Sequence, residues 1–278
     1  MSPPTLRGRW RRLKLGLPTV LGLRPRGWFI PHRYAPLLPP PGSQPPYPAI
    51  ERLFEANEPA FLSVLDAVDA HAAGLEAARS LLEQSWFPSL DAAVAYAIMR
   101  ERKPQHVVEV GSGHSTRILS RALGGLGEIV AIDPAPRADI VDLPGVRMIS
   151  STLQATPIST FSVLKAGDAL FIDSSHILMP GSDVDILLNR VLPTLPPGVL
   201  VHIHDVFLPF DYPTAWGWRA YNEQQGLVPL LVGGGYRPLF SSIWAERRLS
   251  DRLARSVVAR LPRPPDAIAA SLWLEKQG

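Results

Sequence analysis

HVVEVGSGHST, residues 106–116, is the stretch that decides the fold of this chain. Its three valines are β-branched and favour a buried strand. Gly111 and Gly113 allow a sharp turn and a close approach of a ligand to the backbone. Ser115 or Thr116 is predicted to cap the helix that follows. A strand, a glycine turn and a helix N-terminus form the nucleotide-binding corner of many α/β sheets, although an ordinary strand–helix turn has the same parts.

Composition limits the classes of protein that fit. The 278 residues are 46% hydrophobic and 19% charged, which is typical of a folded protein with a sizeable core. The chain has no cysteine, which excludes disulfides, thiolate metal sites and a cysteine nucleophile. Residues 1–50 contain eight Lys or Arg and no acid, so the remainder holds 28 − 8 = 20 basic and 25 acidic residues, a net charge of −5. We therefore expect no nucleic-acid-binding core.

The basic N-terminal segment is predicted to lie outside the folded domain. Residues 1–48 are interpreted as a basic, proline-rich arm and linker, and residues 49–278 as the domain. The arm, which includes Trp10 and Trp28, either contacts an anionic membrane surface or a partner, or is a solvated tail. The apolar run 15–23 is short and interrupted by Pro18, unlike a secretory signal, so a cytoplasmic location is expected.

Strand and helix patterns alternate along the domain. Apolar residues from Phe61 to Leu82 recur at helical spacing, and a second helix is predicted from Pro88 to Lys103. Further helices are expected over 184–191, before Leu231 and over 249–261. Seven strands are predicted over residues 106–110, 128–132, 146–149, 169–172, 198–203, 236–244 and 268–274. This order indicates an α/β fold with a doubly wound, mostly parallel seven-stranded sheet beneath an N-terminal helical cover.

Polar residues follow the predicted strands at their carboxyl ends, where such sheets bind ligands: Glu109, Asp133, Asp173, His204 and Asp205. Asp133 follows Gly111 by 22 residues, a spacing at which a carboxylate can bind ribose hydroxyls of NAD or S-adenosylmethionine. The dinucleotide fingerprint requires Gly or Ala where this chain has the bulkier Thr116. An acid two residues before the first glycine also favours S-adenosylmethionine.

The chain resembles class I S-adenosylmethionine-dependent methyltransferases, and more narrowly the family 24 type. The runs that carry the resemblance are EVGSGHST (109–116), AIDP (131–134), LFIDSSH (170–176), LPPGVLVHIHDVFLPFDYP (195–213), YNEQ (221–224) and SLWLEK (271–276). The resemblance implies a Rossmann-like sheet whose last strand is antiparallel and lies beside the fifth. It also predicts that the methyl donor is bound by Glu109, Gly111, Ser112, Gly113, Ser115, Asp133 and Asp173.

A second group of side chains is expected at the ends of the fourth and fifth strands. Asp173, His204 and Asp205 are predicted to bind a divalent ion such as Mg²⁺, as in metal-dependent O-methyltransferases, with His204 where an oxygen ligand is more usual. His176, beside Asp173, is predicted to be the general base. The expected reaction is O-methylation of a small-molecule or sugar hydroxyl, with acceptor contacts in residues 211–221 and in the helices before residue 104.

Other interpretations stay open at this point. His202, His204 and Asp205 could belong to a metal-dependent hydrolase, and the fold could persist as a non-catalytic binding module. His202 is interpreted as a buried, hydrogen-bonded core residue. His114 is expected either at the carboxylate of the cofactor or exposed to solvent. The alternative for Asp133 is an exposed acid at a strand end, and the alternative for His176 is a hydrogen-bonded structural histidine.

Overall fold

The computed structural model describes residues 6–24, 26–28, 30–265 and 267–278. Residues 1–5 of the predicted arm lie outside this part. The chain divides into two compact units, one formed by residues 1–45 with 210–221 and the other by residues 46–209 with 222–278. The boundary predicted at residue 48 stays a prediction.

The second unit is built on a seven-stranded sheet in the order β3-β2-β1-β4-β5-β7-β6. The strands are β1 (His106–Val110), β2 (Glu128–Ile132), β3 (Val146–Ile149), β4 (Ala169–Ile172), β5 (Leu200–Ile203), β6 (Tyr236–Ser241) and β7 (Leu272–Lys276). The first five are parallel, and β7 is antiparallel to both of its neighbours. The predicted fold class and the position of the last strand are confirmed. Strand order reverses between β1 and β4, which is where doubly wound sheets bind ligands.

The end of the sheet departs from the predicted boundaries. Residues 242–244 were expected in a strand, but β6 ends at Ser241, whose hydroxyl accepts a hydrogen bond from the Trp244 N–H and caps α8. Ile243 and Trp244 are buried in the helix as they would be in a strand, so the apolar pattern alone does not separate the two. The last strand was predicted over 268–274, and it covers Leu272–Lys276.

Nine α-helices lie in the described ranges: α1 (Leu6–Val20), α2 (Pro48–Ala70), α3 (Ala72–Ala77), α4 (Ser89–Arg102), α5 (His114–Leu123), α6 (Asp183–Ile186), α7 (Glu223–Val232), α8 (Ser242–Arg248) and α9 (Ser250–Ala254). The predicted helix over 184–191 is α6 followed by a π-helical turn, Leu187–Val191. The helix predicted over 249–261 is shorter, because it is divided into α9 and a 3-10 turn, Val257–Arg260.

The helices before β1 cover the sheet, as predicted. Phe61 of α2 makes an edge-on ring contact with Phe240 of β6 at 5.9 Å between centroids. Phe87, just before α4, makes a similar contact with Phe171 of β4 at 5.7 Å. Such aromatic pairs stabilise a core beyond the area that they bury. The cover therefore places α4 beside β4 and β5, the strands whose ends carry the predicted acid–base residues.

The first unit contains a helix that the sequence analysis did not predict. α1 covers Leu6–Val20 within the basic arm. The proline-rich segment that follows is mostly irregular, and its Gly42 N–H donates to Asp211 Oδ2 at 2.8 Å. No helix in the described part of the chain is both long enough and apolar enough to cross a membrane.

Candidate active site

The glycine turn after β1 lies against the end of β4. Gly111 has φ +79°, and a Cβ at this position would overlap the backbone oxygen of Asp173. The Asp173 N–H in turn donates to the Val110 oxygen at 2.8 Å. Only glycine combines this backbone conformation with this close approach. The turn and Asp173 therefore meet at the point where the strand order reverses.

Glu109 lies beneath the turn and is fully buried. Its carboxylate accepts hydrogen bonds from Ser115 Oγ at 2.7 Å and from Thr116 Oγ1 at 2.6 Å. Burial, partly offset by these hydrogen bonds, raises the pKa of Glu109 to about 8. Glu109 and Ser115 were predicted to contact the cofactor. In the structure, their side chains are hydrogen-bonded to each other.

The start of α5 differs from the predicted cap. The N-cap residue is Gly113, and the helix begins at His114, so Ser115 and Thr116 lie inside its first turn. Thr116 Oγ1 accepts the Gly113 N–H at 2.9 Å while it donates to Glu109. The Ser115 hydroxyl therefore serves the buried acid, whereas the Thr116 hydroxyl binds both that acid and the free N–H of the N-cap residue.

Asp133 closes the other side of the turn. Its Oδ2 accepts the Ser112 N–H at 2.7 Å, and its Oδ1 accepts the Ala135 N–H at 2.7 Å. The side chain is half-buried. Oδ2 also accepts the Ser112 hydroxyl at 3.2 Å, whereas Oδ1 has one donor and retains a lone pair for a ligand hydroxyl. Asp133 is therefore held in one orientation at the glycine turn, as a ribose-binding carboxylate must be.

A cavity of about 380 Å³ opens beside these residues and is lined by residues 136–141 and Met148. Arg137 and Ala138 lie close to Gly113, where a Cβ would come within 3.2 Å of the Ala138 nitrogen. The Arg137 guanidinium lies 4.5 Å from the ring centre of Trp86 and 3.9 Å from Asp173 Oδ2. His114, at the start of α5, is half-buried, and burial lowers its pKa, as do the charges of Arg117 and Arg137.

The predicted acid–base residues form a buried cluster at the ends of β4 and β5. His176 is 4% exposed, and its Nε2 lies 3.3 Å from Asp173 Oδ1 and 3.4 Å from Asp205 Oδ2. Its Nδ1 lies 2.9 Å from Oε2 of Glu223 at the start of α7. Burial lowers the pKa of His176, but its hydrogen bonds to Asp173 and Glu223 outweigh burial and hold that pKa well above the usual value.

His204 occupies the opposite side of Asp173. Its Nδ1 lies 3.6 Å from Asp173 Oδ1 and 3.5 Å from Asp205 Oδ1, and its Nε2 lies 3.4 Å from Asp91 Oδ2. Burial opposes the charge on His204, but the neighbouring carboxylates raise its pKa well above the usual value. Asp173, between the two imidazoles, has a pKa well below its usual value, because their hydrogen bonds and charges outweigh burial.

Sequence reasoning missed two members of this cluster, Glu223 and Asp91. Glu223 is 1% exposed, and Asp91 of α4 is fully buried and also accepts the Ala270 and Ser271 N–H groups. Glu223 falls within YNEQ (221–224), one of the runs that carry the family resemblance, and this run could have indicated Glu223 as a site residue. Asp91 follows a helix start, where acids are common for local reasons, so its pattern carried no signal.

The predicted Mg²⁺ site at Asp173, His204 and Asp205 is not supported. In the residues that the structure describes, no group of three or more His, Cys, Asp or Glu side chains is arranged to hold a metal ion. Asp173 Oδ1 instead pairs with both imidazoles, at 3.3 Å from His176 Nε2 and 3.6 Å from His204 Nδ1. We derive no step through a metal.

The hydrolase alternative required His202 beside His204 and Asp205. His202 is fully buried, stacks on Phe171 with 3.6 Å between ring centres, and has its Nε2 2.8 Å from Ser271 Oγ. Burial lowers its pKa well below the usual value, so the ring is neutral. The prediction that His202 is a hydrogen-bonded core residue is confirmed, and nothing in its surroundings favours the hydrolase.

The part of the chain that holds the first five strands and the glycine turn is similar to a known protein family. A family model described as a methyltransferase domain, of the family 24 type, matches residues 108–206. The matched segment begins within β1, contains the glycine turn and Asp133, and ends one residue after Asp205. No curated protein sequence matches the chain.

Several solved structures are similar at low identity. The plantazolicin methyltransferase BpumL with SAH shares 13% identity over 83% of this chain and 99% of its own, with a TM-score of 0.42. TomG from Streptomyces achromogenes, an O-methyltransferase with SAM, shares 13% over 74% and 90%, with a TM-score of 0.40. The O-methyltransferase from Bacillus cereus with SAH shares 13% over 78% and 91%, with a TM-score of 0.39. The matched segment contains the glycine turn and the ends of β4 and β5, and this match is consistent with a class I S-adenosylmethionine-dependent methyltransferase.

Proposed function

We propose that this protein transfers a methyl group from S-adenosylmethionine to a hydroxyl of a small molecule or sugar-containing acceptor. One observation carries the proposal: Asp173 takes part in both halves of the site. Its backbone oxygen lies against Gly111 of the glycine turn, and its carboxylate pairs with His176. A donor held by the turn is thereby adjacent to a buried acid–base group.

The donor half fits S-adenosylmethionine. Asp133 presents a fixed, half-buried carboxylate for the ribose hydroxyls, and the backbone of residues 111–113 provides the close approach. When bound, S-adenosylmethionine supplies an electrophilic methyl group on a positively charged sulfur. Asp173 and Asp205 place carboxylates near that position, which favours a cationic ligand. Glu109 orients the first turn of α5 from below.

The acid–base half fits a hydroxyl acceptor. A hydroxyl must lose its proton as its oxygen is methylated, so a proton acceptor within hydrogen-bond reach is needed. We assign this role to His176 Nε2, with Glu223 holding Nδ1 and fixing the orientation of the ring. The raised pKa of His176 means that the neutral, accepting form becomes more abundant above neutral pH. Acceptor contacts by residues 211–221 and the helices before residue 104 remain predictions.

Calorimetry followed by a mass-detected acceptor screen tests the proposal. The full chain should bind S-adenosylmethionine, Asp133→Ala should weaken binding at least tenfold, and His176→Ala should bind normally but give no methylated product. His71→Ala, at a half-buried histidine between α2 and α3 that lies outside the strand-end cluster, is the matched control and should retain both properties.

Each contrary result has a distinct meaning. Absence of donor binding would contradict the whole proposal. Donor binding with full activity in His176→Ala would place the proton acceptor elsewhere. Donor binding without methylation of any hydroxyl acceptor would favour the non-catalytic binding module.

A further inference from the structure

α1 carries an apolar stripe that nothing in the described structure covers. Leu6, Trp10, Leu13, Leu17 and Val20 follow one another at steps of four and three residues, which places them on one helix face. Their exposed fractions are 85, 67, 54, 51 and 58%. An amphipathic helix normally buries such a face, and a contiguous exposed one indicates a binding surface. We call these five side chains the α1 stripe.

Basic side chains surround the α1 stripe on the same helix. At 100° per residue, Arg9 and Lys14 flank the stripe on its two sides, and Arg11 and Arg12 lie further round. All four are exposed, and residues 1–50 contain no acid that could neutralise them. The long stems of flanking Arg and Lys allow their charges to reach outward while the stripe is covered by an apolar phase. The surface therefore complements a partner that is apolar inside and anionic at its boundary.

Apolar exposure continues after the helix. Leu21, Leu23, Trp28 and Ile30 are each more than half exposed, and Arg24 and Arg26 lie among them. Tryptophan suits a water–hydrocarbon boundary, because its ring is apolar and its N–H is polar. A folded protein partner would require a shaped groove, and a nucleic acid would leave the aliphatic side chains without a match. A lipid surface requires no shaped groove and matches the aliphatic side chains, so it is the favoured partner.

We propose that α1 lies in the plane of a membrane surface, with the α1 stripe inserted among the acyl chains and the charged ends of Arg9, Arg11, Arg12 and Lys14 against anionic headgroups. This inference does not depend on the methyl-transfer reaction. It assigns to the basic arm the role of holding the enzyme at a bilayer that contains anionic lipid. Hydrophobic insertion and headgroup attraction contribute separately to membrane binding, so each contribution can be removed by itself.

Co-sedimentation of the full chain with vesicles tests the proposal. We expect at least tenfold more binding to vesicles of phosphatidylcholine with 30% phosphatidylglycerol, about the anionic content needed for a strong surface potential, than to phosphatidylcholine alone. Leu13→Glu/Leu17→Glu should reduce binding to the level of phosphatidylcholine alone. Leu126→Glu, at a residue 73% exposed outside the arm, is the matched control and should bind as the native chain does. Circular dichroism should show the same fold for all three proteins.

Three results would overturn the proposal. The first is equal sedimentation with and without anionic vesicles. The second is undiminished binding by Leu13→Glu/Leu17→Glu, which would leave only charge attraction. The third is tight binding of a single-stranded oligonucleotide by the native chain without vesicle binding, which would make the arm a nucleic-acid contact. Because the readout is binding, loss of methyl transfer in a separate assay would not affect it.

Discussion

His176 and Asp205 meet at the ends of β4 and β5, with 3.4 Å between Nε2 and Oδ2, and both have left-handed backbone conformations. Their φ values of 61° and 56° are rare for residues other than glycine and cost about 1–3 kcal/mol each. Such strained conformations persist where the surrounding structure holds them. Here they direct the side chains of both residues into one buried cluster. The cluster is therefore an arrangement that the sheet enforces at its ligand-binding edge.

Replacing Glu223 should change the protonation of His176. Glu223→Gln removes the carboxylate next to Nδ1, so the pKa of His176 should fall toward its usual value. The midpoint of the imidazole titration, followed by NMR, should move to lower pH by about one unit or more. If His176 accepts the proton, the pH–rate profile should move in the same direction.

Glu101→Gln is the matched control for Glu223→Gln. It removes the carboxylate that pairs with His71, a half-buried histidine outside the cluster, at 2.7 Å. The His176 titration should not move in this variant. An unchanged His176 titration in Glu223→Gln would show that Glu223 has only a packing role.

The acid beneath the glycine turn should make stability depend on pH. The folded pKa of Glu109, about 8, lies above its unfolded value near 4.5. The folded state therefore keeps a proton that the unfolded state loses, and this contribution to stability disappears as pH rises toward 8. Relative to Glu109→Gln, the native chain should lose up to about 1.4 kcal/mol of unfolding free energy per pH unit between about pH 5 and pH 8.

Urea unfolding of both proteins at several pH values measures this difference. If the unfolding free energies of the native chain and Glu109→Gln changed in parallel with pH across this range, Glu109 would be ionised in the folded state. In that case its two hydroxyl donors would be sufficient to hold the buried charge.

Gly111→Ala should disable the donor site. The alanine Cβ would overlap the Asp173 oxygen at a backbone conformation that alanine rarely adopts. We expect a loss of stability of about 2–5 kcal/mol from strain and overpacking together, and loss of S-adenosylmethionine binding in whatever protein folds. Thermal unfolding and calorimetry provide the two measurements.

Gly124→Ala separates the effect of backbone strain from that of steric overlap. Gly124 has φ +59° at the end of α5, but a Cβ there would meet no atom within 4 Å. The expected cost is about 1 kcal/mol, with donor binding intact. Equal effects of the two alanines would contradict the close approach of the turn to Asp173.

His176→Asn should separate catalysis from binding. Asparagine retains a polar side chain but cannot accept a proton near neutral pH, so methyl transfer should fall by about 10²–10⁴-fold. The dissociation constant of S-adenosylmethionine should change less than threefold. An activity within tenfold of the native value would contradict a general-base role.

The sequence by itself determined the sheet and the ligand-binding edge. Short runs of β-branched and apolar residues identified β1 to β4 with correct bounds, and those of β1, β2 and β4 are almost entirely buried. Acids and histidines directly after these strands identified the edge, because the carboxyl ends of parallel strands meet there. The boundary between β6 and α8 was wrong, since buried strand and buried helix share one apolar pattern.

Only the tertiary structure decided how the cluster is charged. Asp91 comes from α4 and Glu223 from α7, more than a hundred residues apart, and they reach His204 and His176 through packing against the sheet. Four carboxylates around two imidazoles raise both histidine pKa values, and the ion pairs involve all three residues that were predicted to bind magnesium. Likewise, the exposed face of α1 became visible only in the structure, because a sequence pattern shows that a helix is amphipathic but not whether its apolar face is covered.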